Sequence, residues 1–110
     1  MKYQSSARVK RAQLHNLRRE FEVLEMKTRE SGNGYVGRVT TVTNEMGNWG
    51  EEMKEVKVVG KILRTLTERF DYVVCSIEES KDIDAVSIDA LQASLLVHEQ
   101  RFMKKIDTEE

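Results

Sequence analysis

Cys75, His15 and His98 are the side chains best suited to nucleophilic chemistry, and their spacing does not assemble it. A nucleophilic cysteine needs a base within hydrogen-bond reach and an electropositive setting. Cys75 instead sits among Val73, Val74 and Ile77, which predicts a buried, inert thiol. His98 falls on the apolar side of a helical pattern, the place of a core or interface histidine. His15 follows Leu14, off the apolar stripe, and is expected in solvent. One cysteine and two distant histidines do not make a structural zinc site unaided. The acids Glu78, Glu79, Asp82 and Asp84 lack the alternation and turn glycine of a calcium loop, so they read as a solvated loop. No catalytic constellation is present, and neither a metal nor a cofactor is expected.

A second pattern looks like phosphate chemistry. Gly32-Asn33-Gly34-Tyr35-Val36-Gly37-Arg38-Val39 matches GxGxxG and GxGxxGxV. Those loops work only behind a strand that aims them at phosphate groups. Glu25 to Ser31 is charged or polar and continues a helix, so the glycines are expected to form an interhelical turn.

Nucleic-acid chemistry has one candidate: Lys2, Arg8, Lys10, Arg11, Arg18 and Arg19 all precede the first acid, Glu20. Phosphate binding through Arg8, Lys10, Arg11, Arg18 and Arg19 would be steeply salt-dependent. A formal net charge of −1 argues against a chain that binds RNA by bulk charge, and a solvated helix face is the simpler reading. One cysteine excludes an internal disulfide and fits a reducing compartment. No apolar run approaches the ~20 residues that span a bilayer, so a cytoplasmic, membrane-free protein is expected.

The elements that must carry these residues are helical. Leu14, Leu17, Phe21 and Leu24 follow 3-4-3 spacing on a first amphipathic helix, whose early basic and late acidic residues oppose the helix dipole. After the break Glu30-Ser31-Gly32-Asn33-Gly34, a second stripe runs through Tyr35, Val39, Val42, Met46 and Trp49. Gly47-Asn48-Trp49-Gly50 breaks again, and Val56, Val59, Ile62, Leu63 and Leu66 predict a third helix over roughly 51–66. Phe70, Val73, Val74 and Ile77 predict a short fourth, although Tyr72 to Cys75 is rich in strand formers. Ser87 reads as the N-cap of a last helix, with Val86 stapled to Leu91 and with Ile88, Leu91, Leu95, His98 and Phe102 on one face. The fold class is all-α, a small bundle of about five helices.

Those phrases, in that order, carry a resemblance. From Val58 to Arg101 the chain reads through "LRTLT", "FDYVVCSIEES" and "SIDALQASLLVHEQR", preceded by "VKRAQLHNLRREFEVLEMKTRES" and "YVGRVTTVTNEMGNWGE". This resembles the Gag polyprotein of copia-type LTR retrotransposons. Glu30, Ser31, Tyr35 and Arg38 stand at the positions of the family segment E-S-x-x-x-Y-x-x-R, which also looks like the major homology region of retroviral capsids. The resemblance implies a helix over 1–29 that ends an upstream capsid lobe, a capsid-like domain over 30–104, and a frayed tail over 105–110. Gly34, Gly37 and Gly47 depart from the family's better helix formers, Glu68 replaces a common proline, and Ala90 replaces an acid that would complete a capping box. With no zinc knuckle, protease or polymerase region, the chain reads as a truncated or domesticated copy.

The resemblance implies a non-enzymatic structural protein. Three narrow apolar stripes on short helices look too many for 110 residues to bury alone. Self-association into a dimer or higher homo-oligomer is therefore expected, with Leu14, Leu17, Phe21, Leu24, Trp49, Leu95 and Phe102 as candidate anchors. The alternative is a co-opted module that captures RNA through the basic helix or docks a host protein.

Overall fold

Five α-helices surround one core in a computed structural model that describes residues 2–80 and 83–109, with side chains described over 6–80 and 84–103. They are α1 (Lys2–Val23), α2 (Gly32–Asn48), α3 (Glu55–Thr65), α4 (Asp71–Glu79) and α5 (Ile88–Glu109). Single 3-10 turns at Glu68–Phe70 and Ile83–Ala85 lead into α4 and α5. The described residues contain no strand, so Tyr72 to Cys75 is helical as its one-sided apolar spacing predicts. Glu110, the end of the expected frayed tail, lies outside the described residues, and α5 keeps its backbone helical to Glu109.

The central element is α2, which packs against α1, α3 and α5. Gly32, Tyr35, Val36, Val39, Val42 and Met46 are all buried, a band wide enough to meet neighbours on two sides. Leu14, Leu17, Phe21 and Leu24 from α1 and its end, Val58, Val59, Ile62 and Leu63 from α3, and Leu91 and Leu95 from α5 join the same cluster. The first helix therefore shares its core with the rest of the chain.

Three boundaries differ from the sequence pattern, each for a tertiary reason. Instead of running to residue 29, α1 ends at Val23. Lys61, itself only 6% exposed, sends its ammonium to the Glu22 carbonyl at 2.9 Å and caps the helix with positive charge. Three residues on, the Met26 amide donates to the Thr65 carbonyl at 3.0 Å, which draws the chain across the end of α3. The glycines of the GxGxxG pattern do not form a loop but the first turns of α2. Ser31 caps that helix by accepting the Gly34 amide at 2.9 Å.

At the other end of α2, Gly50 takes φ +94, a left-handed conformation that other residues rarely adopt. Its amide bonds the Gly47 carbonyl, and the Glu51 amide bonds the Met46 carbonyl, a Schellman closure. This closure turns residues 51–54 out of the helix and delays α3 to Glu55. Ser87 does cap α5, accepting the Ala90 amide at 3.0 Å, while the Ile88 amide is held by Glu55 of α3 at 2.7 Å.

Candidate functional site

The segment between α1 and α2 and the first turns of α2 carry a polar network that includes the four family-motif residues. Arg38 reaches back from the second turn of α2 to Glu30 with a two-pronged pair, Nε to Oε2 and Nη2 to Oε1, both at 2.6 Å. Nη2 also donates to the Glu25 carbonyl at 2.9 Å, and Glu30 Oε1 accepts the Lys27 amide at 3.0 Å. Tyr35 is fully buried, and its hydroxyl shares a hydrogen bond with Thr65 Oγ1 at the end of α3. Arg38 lies over the Tyr35 ring, 5.3 Å from its centroid.

Arg69, in the 3-10 turn before α4, extends the network. Its Nη2 donates to the Glu30 carbonyl and to Glu99 Oε2 of α5, the latter at 3.2 Å. The other Glu99 oxygen accepts the Gly32 amide at 2.9 Å, which puts a carboxylate at the positive end of α2. His98 Nε2 bonds the Arg69 carbonyl at 2.7 Å, and its ring packs on Phe70. With Gly32 and Gly34 amides already bonded to Glu99 and Ser31, the start of α2 offers protein acceptors rather than a phosphate cradle. Glu30, Ser31, Tyr35 and Arg38 thus make a structural clasp over α2, α3, α5 and the turn before α4.

The clasp has a signature in acid. Hydrogen bonding from Arg38 holds the Glu30 carboxyl below the usual carboxylate range, outweighing the opposing effect of burial. A depressed folded-state pKa contributes stability that is present above the unfolded value of roughly 4.3 and lost as pH falls through the lower folded value. Arg38→Met is therefore expected to cost ~1 kcal/mol near pH 7, the upper end for a partly exposed pair. That gap should begin to narrow as pH falls below the unfolded value and close once pH passes the depressed folded value, where Glu30 is protonated in the wild type as well. Urea unfolding followed by circular dichroism between pH 3 and 7 checks it; a gap that ignores pH contradicts the assignment.

Most of the expected self-association anchors are used internally. Leu14 (7% exposed), Leu17, Phe21, Leu24 (9%) and Leu95 (0%) all lie in the chain's own core, and Trp49 packs against it half-buried. Only Phe102 of the seven is exposed, at 40%. The premise that one chain has too little interior for its stripes is corrected: the broad band of α2 takes up the stripes of its neighbours. The expectation for Cys75 is corrected too, because the thiol is exposed on α4. The predicted face of Phe70, Val73, Val74 and Ile77 places Cys75 on the opposite side of the helix.

Of the basic residues, Arg8, Lys10, Arg11, Arg18 and Arg19 are all exposed. Arg18 is committed to Glu51, with Nε 3.1 and 3.0 Å from the two carboxylate oxygens. A Cβ on Gly50 would lie 3.0 Å from Lys10 Nζ, so Lys10 folds over the α2 end. His15 is exposed as expected. Glu78, Glu79 and Asp84 are exposed, while Asp82 lies outside the described residues. No group of three metal-ligating side chains occurs among the described residues, and no described helix is long and apolar enough to cross a membrane.

Sequence reasoning missed Lys61, Thr65, Arg69 and Glu99. Each meets its partner across 30 or more residues of chain, and no local pattern marks such a pairing. Comparison with known proteins bears on what the clasp belongs to. A family model described as gag-polypeptide of LTR copia-type matches residues 1–108. No curated protein and no solved structure gives a significant match.

Proposed function

The chain belongs to the copia-type LTR gag-polypeptide family, whose role is structural rather than catalytic, and from that premise we propose that it acts as a capsid-like unit that self-associates. One observation carries the reading. With the internal core complete, five large apolar side chains remain exposed on the adjacent helices α4 and α5: Tyr72 (76%), Leu96 (42%), Val97 (46%), Phe102 (40%) and Met103 (55%). Of these, Tyr72 and Val97 line one groove, and contiguous exposed apolar surface marks a docking face more often than scattered single residues do. A groove of about 370 Å³ between the two helices, lined in part by Tyr72, Ile77 and Val97, offers that face relief.

Docking here needs no rearrangement of the core, because the anchors inside the bundle stay where they are. The expected result is a mass that rises with concentration toward a dimer or higher species. Light scattering on a size-exclusion column, loaded over a wide concentration range, reads it. A strict monomer at several hundred micromolar rejects the proposal.

A further inference from the structure

Two helices of this chain carry opposite charge on exposed faces that form no ion pair among the described residues. From Asp71 to Glu79, α4 holds no basic residue, and its acids Asp71, Glu78 and Glu79 are all exposed. Up to Arg19, α1 holds no acidic residue, and Arg8, Arg11 and Arg19 are exposed. The ion pairs among the described residues join Arg18 to Glu51, Arg38 to Glu30 and Arg69 to Glu99; none uses these six. The two helices also have different main neighbours, α1 packing on α2 and α4 on α5 and the turn before it.

We propose that the basic face of α1 in one copy docks, head to tail, on the acidic face of α4 around Tyr72 in a second copy. This deepens the self-association reading above and rests on it. The helical spacing suits the contact. Arg8, Arg11, His15 and Arg19 recur at three and four residues and form a stripe opposite Leu14, Leu17 and Phe21. Asp71, Cys75 and Glu78 recur the same way on α4. Arg8 to His15 and Asp71 to Glu78 are both seven residues, about 10.5 Å along the axis, so antiparallel helices bring the two stripes into register. Tyr72, 76% exposed beside these acids, supplies an aromatic face on which a guanidinium can stack.

The contact is heterologous. After docking the pair keeps one free acidic face, on the first copy, and one free basic face, on the second, so association continues beyond a dimer or closes into a ring. Pairs of this kind are individually weak and screened by salt, which makes the assembly sensitive to ionic strength.

The test is a mixing experiment on full-length chains, read by sedimentation velocity at about 50 mM and 500 mM salt, where screening differs severalfold. The variants are Arg8→Glu/Arg11→Glu and Glu78→Lys/Glu79→Lys, all at exposed positions, with circular dichroism to confirm the wild-type helical signal. Each variant alone is expected to associate at least about tenfold more weakly than wild type, because like charges then face each other. Mixed one to one, they should regain association, since each again meets an opposite face. A wild type that stays monomeric removes the self-association reading and this inference together. A wild type that associates while both variants associate equally well overturns the docking mode and leaves self-association standing. Loss in both variants without recovery on mixing overturns it as well. So does an Arg8→Glu/Arg11→Glu variant that loses a fluorescent oligouridine but still self-associates, because the stripe then serves RNA.

Discussion

Phe70→Ala is expected to remove about 3–5 kcal/mol of stability, the cost of emptying a fully buried aromatic site. A small domain holds roughly 5–15 kcal/mol in all, so the variant should be partly unfolded at physiological temperature. Phe70 is 0% exposed and sits where three features meet. The Arg69 guanidinium lies 4.9 Å from the ring centroid, the His98 ring lies 5.6 Å away, and α4 begins at the next residue. Losing the ring therefore frees the turn that aims Arg69 at Glu30 and Glu99. Phe102→Ala supplies the contrast, since that ring is 40% exposed on the outer half of α5. Its urea midpoint should lie close to wild type. Equal shifts for the two variants would mean that the turn before α4 is not part of the folding unit.

That contrast also shows what a sequence can and cannot announce. Local signals were legible: the Ser87 cap, the apolar spacing of α4 that overrides its strand-forming residues, and the stripe of Leu14, Leu17, Phe21 and Leu24. What the stripe faces was not. A 3-4-3 pattern says that one side of a helix is dry, and it says nothing about whether the cover comes from the same chain. Here the cover is α2, whose buried band includes Gly32 and Val36 beside the expected Tyr35, Val39, Val42 and Met46. A glycine and one extra valine are a faint signal for a helix packed on two sides. The clasp was half legible. Glu30, Ser31, Tyr35 and Arg38 stood out through the family pattern, but Arg69 and Glu99 come from distant helices and are placed only by packing.

Gly32→Val is expected to cost about 1–3 kcal/mol, the range for forcing extra carbon into a packed contact. A Cβ at Gly32 would lie 3.0 Å from Leu95 Cβ and 3.0 Å from Glu99 Oε1. Leu95 is fully buried, and its Cβ is fixed to the α5 backbone, so α5 rather than a side-chain tip must yield. The same displacement pulls Glu99 from the Gly32 amide and disturbs its pair with Arg69. Gly37 and Gly47 lie in the same helix with nothing within 4 Å of an added Cβ. There the only consequence of alanine is a stiffer helix, and Gly37→Ala with Gly47→Ala should together raise stability by about 1–2 kcal/mol. Gly34 belongs with neither set, because its added carbon would press on the Ser31 cap at 2.9 Å. Urea midpoints for the three proteins decide the matter. Opposite shifts are expected from glycines in one helix, down at the α5 contact and up on the open side, and shifts of one sign would deny that α2 touches α5 at Gly32.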